Sequence, residues 1–135
     1  MRNIVLLLSM LLFTSGIAAQ EQFTLYFDFD IDKPTQESSQ RLAEWINLNK
    51  GIDIIKIYGY ADSIGNKDYN IDLSWRRAKH VQQQLNSAYK IVPEIEIKGF
   101  GETNAFSENR SSDRIVVIHY NNPPEQKYRG LRKNH

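Results

Sequence analysis

The 135-residue chain contains no cysteine, and its charge is almost balanced, with 17 lysines and arginines against 16 aspartates and glutamates. Without cysteine, a disulfide framework, thiolate zinc, iron–sulfur ligation, a cysteine nucleophile and lipidation of an N-terminal cysteine are all excluded. The net charge of +1 gives no basic face for nucleic acid, which is therefore not an expected partner. What is present, 41% hydrophobic and 11% aromatic residues, is typical of a globular domain, and 135 residues leave room for one such domain and not for a multidomain enzyme.

Residues 1–19 have the pattern of a secretory signal peptide. Arg2 precedes an apolar run from Ile4 to Phe13, and small residues follow up to Ala18 and Ala19. An uncleaved anchor is the alternative, but the apolar run is shorter than the roughly 20 residues that a bilayer span needs. We therefore expect cleavage at Ala18 or Ala19 and no membrane span in the mature chain. We also expect a periplasmic location, peripheral to the outer membrane or cell wall.

Charge divides the remainder into a domain, residues 21–120, and a tail, residues 121–135. The domain has 12 basic and 15 acidic side chains, whereas the tail has four basic side chains and one acidic one. Tyr128 and Leu131 are the only large apolar residues of the tail, too few to bury a core of its own. We expect a disordered basic tail, with solvation and docking to a partner as its two alternative roles.

Hydrophobic periodicity predicts the element order β-α-β-α-β-β. Alternating or β-branched runs predict strands at 23–29, 52–59 and 115–120, and a further strand that begins after Pro93 and ends near Gly99. Apolar residues three or four apart predict one helix over about 35–49 and a longer one up to Tyr89, with Asn70 capping its first turn. Two helices cannot cover both faces of a four-stranded sheet. We therefore expect an α+β fold, a two-layer α/β sandwich with a mixed sheet and both helices on one face.

The densest polar segment follows the second predicted strand. Asp62 lies at the end of that strand, where α/β folds place ligands, and Arg77 lies two helical turns beyond Asn70 on the same helix face. Such a carboxylate and guanidinium suit the ammonium and carboxylate of an amino-acid head group. The alternative is an internal Asp62–Arg77 salt bridge that only ties the loop to the helix.

Gly59 to Val81 resembles the signature of the OmpA-like peptidoglycan-binding domain. The family pattern is G-H-[TA]-D-x-x-G followed by Y-N-x-x-L-S-x-x-R-A-x-x-V, and this chain has GYADSIG followed by YNIDLSWRRAKHV. The similarity extends from about Phe23 to Tyr120, nearly the whole predicted domain. It includes YFDFD in the first strand, GFGETN after the third, and Arg114 at the start of the last.

This resemblance implies that Asp62 and Arg77 bind the diaminopimelate residue of peptidoglycan stem peptides. Asp62 would hold the ammonium and Arg77 the carboxylate. The resemblance also implies a supporting pocket of residues along the motif: Phe27, Asp28, Tyr60, Asn70, Leu73 and Arg114.

Several positions depart from the family pattern at the rim of this pocket. Tyr60 replaces the usual histidine, although a phenol can still donate a hydrogen bond. Asp113 and Ile115 replace an asparagine and an arginine beside Arg114, and the loop 104–110 is shorter than common versions.

The implied function is non-covalent binding of peptidoglycan, which anchors or positions an envelope complex at the cell wall. The expected partners are peptidoglycan and another envelope or outer-membrane protein, with no cofactor, no metal and no catalysis. No H-E-x-x-H spacing is present, and the aspartates near residue 30 fit helix capping better than paired-acid hydrolysis. The alternative is a structural or assembly subunit that keeps the fold but binds peptidoglycan weakly or not at all.

Overall fold

The structure is a computed structural model, and it describes residues 20–89, 95–102 and 110–122. The predicted signal peptide, most of the predicted tail and most of the loop 104–110 lie outside the described residues. The elements are β1 Gln20–Tyr26, α1 Gln36–Leu48, β2 Asp53–Gly59, α2 Lys67–Asn86, β3 Glu96–Gly99, a 3₁₀ turn Arg110–Asp113 and β4 Ile115–Asn121. β1 begins at Gln20 and β4 ends at Asn121, and these two paired residues lie one position outside the predicted domain 21–120.

The four strands form one mixed sheet in the order β1-β4-β2-β3. β4 is antiparallel to both β1 and β2, whereas β2 and β3 are parallel. A single core joins both helices to the sheet, with Leu42 and Trp45 from α1 and Val81 and Leu85 from α2 packed with strand residues such as Ile118. The predicted α+β fold, a two-layer arrangement with a mixed four-stranded sheet, is confirmed. No helix in the described part of the chain is long and apolar enough to cross a membrane.

The first strand ends earlier than its alternating pattern predicts. Phe27 still donates its backbone N–H to the Arg114 carbonyl, at 2.9 Å, but Phe29 is 55% exposed. The chain turns at Asp30, whose φ of 56° lies in the left-handed region that aspartate tolerates better than most residues. The prediction that the strand continues to Phe29 was therefore wrong, and this turn leads the chain towards α1.

α1 matches its predicted range to within one residue at each end. The Thr35 hydroxyl accepts from the Ser38 N–H at 3.2 Å and caps the first turn. At the other end the Asn49 side chain donates to the Trp45 carbonyl at 2.8 Å. Both ends of this helix are thus set by local polar side chains, which is why the sequence predicts them well.

α2 begins one turn earlier than predicted. Its cap is Asn66, whose side-chain oxygen accepts from the backbone N–H groups of Asp68 and Tyr69 at 2.8 and 3.2 Å. Asn70 lies inside the first turn and is 2% exposed, so the prediction that it caps the helix was wrong. The first turn is polar and exposed before Asn70, so the apolar periodicity does not reveal it.

Two glycines bring α2 directly onto the ends of β2 and β3. A Cβ atom at Gly59 would lie 1.9 Å from the Ser74 carbonyl oxygen, and one at Gly99 would lie 2.4 Å from the Trp75 nitrogen. The Ser74 hydroxyl also accepts from the Gly101 N–H at 2.9 Å. This close approach places Arg77, one turn further along α2, beside the loop that leaves β2.

Candidate functional site

A cavity of about 190 Å³ opens where β2 ends. Its walls come from the turn after β1, the loop after β2, the first turns of α2 and the residue before β4. The lining residues are Phe29, Asp30, Ala61, Asp62, Ile64, Gly65, Tyr69, Asn70, Leu73, Arg77 and Arg114. The structure therefore brings the two principal predicted residues, Asp62 and Arg77, to one concave site.

Asp62 is 4% exposed and is held by both its side chain and its backbone. Its carboxylate accepts from the Ile64 N–H at 3.2 Å and from Arg114 Nη1 at 3.3 Å. The buried Asn70 amide donates to the backbone carbonyls of Asp62 and Ile64 at 3.3 and 2.9 Å. Asn70 thus fixes the loop that carries the carboxylate.

Arg77 is 1% exposed and binds three backbone carbonyls on two loops. Its Nε donates to Ile31 at 2.8 Å, and its two terminal nitrogens donate to Tyr60 and Asp28 at 3.1 and 3.0 Å. The Phe27 ring lies against the guanidinium, with its centroid 5.2 Å from Cζ. One side chain of α2 therefore holds the turn after β1 and the loop after β2 together around the cavity.

Burial lowers the pKa of Arg77 to about 10. The charge of Asp62 acts in the opposite direction, whereas nearby Arg114 and Arg76 add to the lowering. Even at this value the guanidinium remains protonated at neutral pH. The cavity wall therefore carries a fixed positive charge.

The alternative of an internal Asp62–Arg77 salt bridge is not what the structure shows. In the described part of the chain, the ion-pair partner of Asp62 is Arg114, which also donates through Nε to the Phe27 carbonyl at 2.9 Å. Asp62 and Arg77 border the same cavity without pairing to each other. Arg114, predicted as a supporting residue, thus positions one of the two principal side chains.

The other predicted supporting residues divide into two groups. Asn70 and Leu73 line the cavity, as Arg114 does. Phe27, Asp28 and Tyr60 are not among its lining residues and act on Arg77 from outside, through a ring and two carbonyls.

The Tyr60 ring, which stands where the family has histidine, lies away from the cavity. It stacks on Phe100 with 5.3 Å between centroids, and burial raises the pKa of its phenol. The Tyr60 side chain therefore packs behind the site and is not part of the cavity lining.

Six lining residues were missed by the sequence reasoning about this site: Phe29, Asp30, Ala61, Ile64, Gly65 and Tyr69. The Tyr69 hydroxyl donates to the Asp30 carboxylate and links the first turn of α2 to the turn after β1. The YFDFD segment and the tyrosine of the YN pair were visible signals. They come together because the backbone at Asp30 is left-handed. Aspartate permits this conformation, but its presence in the sequence does not predict it.

Arg76, the neighbour of Arg77 on α2, forms ion pairs outside the cavity. Its guanidinium pairs with Asp32 at 3.1 Å and with Asp72 at 2.8 Å while its side chain stays 35% exposed. Arg76 is not a lining residue of the cavity, as helical geometry predicts, and its pair with Asp32 links α2 to the segment after β1.

Across residues 20–89, 95–102 and 110–122, no group of three or more histidines or acids is placed to hold a metal ion. The charged residues that line the cavity are two aspartates, Asp30 and Asp62, and two arginines, Arg77 and Arg114. Such groups recognise a small ligand that carries an ammonium and a carboxylate.

Comparison with known proteins identifies the family of the chain. A model of the OmpA family matches residues 26–117. The sodium-type flagellar protein MotY of Vibrio parahaemolyticus is 28% identical over 102 residues, which are 70% of this chain and 35% of that protein. Outer membrane protein A of Bordetella avium is 33% identical over 90 residues, which are 65% of this chain and 46% of that protein. The chain thus spans about a third to a half of these relatives.

Among solved structures, the peptidoglycan-associated lipoprotein of Burkholderia pseudomallei superimposes with a TM-score of 0.57 at 22% identity. The match covers 72% of this chain and 88% of the lipoprotein, and at this identity it supports the fold alone. The family match covers more than half of the chain and includes every residue of the cavity lining. The chain belongs to the OmpA family.

Proposed function

We propose that this protein binds peptidoglycan non-covalently through the diaminopimelate residue of its stem peptides. The observation that carries the proposal is the convergence of buried Asp62 and buried Arg77 on one cavity while neither neutralises the other. Asp62 and Arg77 line the same cavity but do not pair with each other. A purely structural salt bridge would join them directly. A ligand with both an ammonium and a carboxylate complements this arrangement.

In this proposal Asp62 accepts hydrogen bonds from the ligand ammonium. Its carboxylate has about four lone-pair positions, and two contacts, both longer than 3 Å, occupy part of them. Arg77 donates to the ligand carboxylate. Of its five N–H groups, three bind carbonyls, which leaves one on each terminal nitrogen.

Apolar lining residues complete the fit to this ligand. Phe29 and Leu73 line the same cavity and offer contact surface to the methylene chain of diaminopimelate. The role is binding without chemical conversion. One site of this kind binds modestly, and the repeated stem peptides of the wall raise the effective affinity.

We further propose that the protein acts in the cell envelope and positions another envelope or outer-membrane protein at the wall. The names of the relatives support this location, since they describe a flagellar protein and an outer membrane protein. The alternative is an assembly subunit without affinity for the wall, and the absence of binding in the following test would favour it.

The test is co-sedimentation of the purified protein with isolated sacculi at low salt. Asp62→Asn removes the charge with little change of shape, and Glu44→Gln makes the same chemical change on the exposed face of α1. We expect the wild type and Glu44→Gln to pellet, Asp62→Asn to stay in the supernatant, and free meso-diaminopimelate to release the pelleted protein. Wild-type protein that stays soluble while folded, as checked by circular dichroism, would refute the proposal and favour the assembly subunit.

A further inference from the structure

A second groove lies beside the cavity and has a volume of about 380 Å³. It is formed where β1 ends, where α1 begins and where β4 begins. Its lining residues are Tyr26, Phe27, Asp28, Thr35, Glu37, Ser38, Arg41 and Arg114. We call this the α1 groove.

The α1 groove and the cavity share one wall. Arg114 lines both, and its guanidinium binds the Asp62 carboxylate and the Phe27 carbonyl. The segment after β1 completes this wall, since Phe29 and Asp30 line the cavity while Phe27 and Asp28 line the groove. A ligand held in the cavity that extends past Arg114 therefore enters the α1 groove.

The charged side chains of the α1 groove differ from Arg76 of α2 in their ion pairing. Arg76 is neutralised by two aspartates, Asp32 and Asp72. In the groove, Arg41 forms no ion pair within the described residues and contacts the Phe23 ring, with Cζ 5.3 Å from its centroid. The carboxylates of Asp28 and Glu37 are likewise exposed and take part in no ion pair within the described ranges.

Among the described residues, an unpaired guanidinium, that of Arg41, shares this groove with two unpaired carboxylates, and such a groove beside a ligand cavity suits a peptide with a free carboxylate. Arg41 offers a planar set of N–H donors, and the terminal nitrogen Nη2 of Arg114 is not used in its bonds to Asp62 and Phe27. Asp28 and Glu37 can accept from the amide N–H groups of the same peptide. Sugar hydroxyls, which are neutral, would not need two guanidiniums in one groove.

We infer that the α1 groove is a second subsite, in which Arg41 binds another carboxylate of the peptide whose diaminopimelate occupies the cavity. This inference rests on the proposed function. In a stem peptide the γ-linked glutamate before diaminopimelate carries such a free α-carboxylate. The α1 groove would then distinguish a stem peptide from free diaminopimelate.

The experiment is isothermal titration calorimetry with two probes, free meso-diaminopimelate and the tripeptide L-alanyl-γ-D-glutamyl-meso-diaminopimelate. The variants are Arg41→Gln, Arg41→Lys, Asp62→Asn and the control Lys50→Gln, which removes an exposed charge beyond the end of α1. We expect Arg41→Gln to weaken tripeptide binding about tenfold, a typical loss for one charge-assisted contact. Its affinity for free diaminopimelate should stay within about twofold of wild type, Arg41→Lys should recover part of the loss, and Lys50→Gln should match wild type.

Two results would overturn the inference while the proposed function stands. In the first, Arg41→Gln binds the tripeptide as wild type does, although Asp62→Asn has lost both probes. In the second, Arg41→Gln weakens both probes equally, so that Arg41 acts only through the structure of the cavity. If the wild type binds neither probe, the proposed function and this inference fail together.

Discussion

Arg114, and not Arg77, is the ion-pair partner of Asp62, with 3.3 Å between Nη1 and Oδ2. The pair is largely buried, with 5% of the Asp62 side chain and 19% of the Arg114 side chain exposed. Arg77 is thereby left to hold backbone carbonyls and to border the cavity. Most of the behaviour expected of the site follows from this division of roles between the two arginines.

Removal of Arg114 should cost more stability than removal of a surface arginine. Arg114→Met leaves the Asp62 carboxylate buried without its cation, and we expect a loss of about 2 to 3 kcal/mol of unfolding free energy, slightly below the value for fully buried pairs. Arg76→Met, which breaks two exposed pairs, should lose about 1 kcal/mol or less. Urea unfolding followed by circular dichroism measures both, and equal losses would contradict the buried pair.

The two asparagines at the start of α2 should separate stability from binding. Asn66→Ala removes the helix cap and should lower the unfolding free energy by about 1 kcal/mol while sacculus binding persists. Asn70→Ala frees the loop that carries Asp62, so binding should fall even under conditions where the variant is fully folded. Urea titration together with co-sedimentation tests both variants. Equal binding by the two would show that Asn70 does not shape the site.

Gly59 and Gly51 should respond to alanine for different reasons and by different amounts. At Gly59 the new Cβ meets the Ser74 carbonyl oxygen at 1.9 Å, so α2 must move off the sheet, at a cost of about 3 kcal/mol or more. At Gly51 nothing lies within 4 Å and the cost is only that of a positive φ of 85°, about 1 to 2 kcal/mol. Thermal or urea unfolding ranks the two variants, and the reverse order would be inconsistent with close packing of α2 on β2.

Acidification should destabilise the protein through His119. Burial lowers the pKa of this imidazole, Lys56 nearby adds to the lowering and Glu96 opposes it, and the ring also contacts Gln22 and Tyr58. Because the folded pKa lies below the unfolded one, the contribution of His119 is complete above the unfolded value of about 6.5 and is lost as pH falls towards the folded value.

We therefore expect wild type to lose more stability between pH 7.5 and pH 5 than His119→Gln does, as measured by urea midpoints. An NMR titration should place the His119 midpoint below that of a free histidine. A midpoint at or above the free value would contradict a partly buried, neutral imidazole.

Local patterns in the sequence were enough to predict the elements and their order. Both ends of α1 follow from Thr35 and Asn49, which bind their own helix. The prediction was wrong at the end of β1 and at the start of α2. There the deciding features are the left-handed turn at Asp30 and a polar first turn, neither of which has a hydrophobic period.

By itself, the sequence determined the fold class and singled out Asp62 and Arg77, which line one cavity, because periodicity and motif spacing are local properties of the chain. Only the tertiary structure decided how those residues are used. Arg77 binds carbonyls of Ile31 and Asp28, which lie 46 and 49 positions away, and Arg114 reaches Asp62 across 52 positions. Contacts at such separations depend on how the helices pack on the sheet, and in this protein the close approach of α2 at Gly59 and Gly99 brings them about.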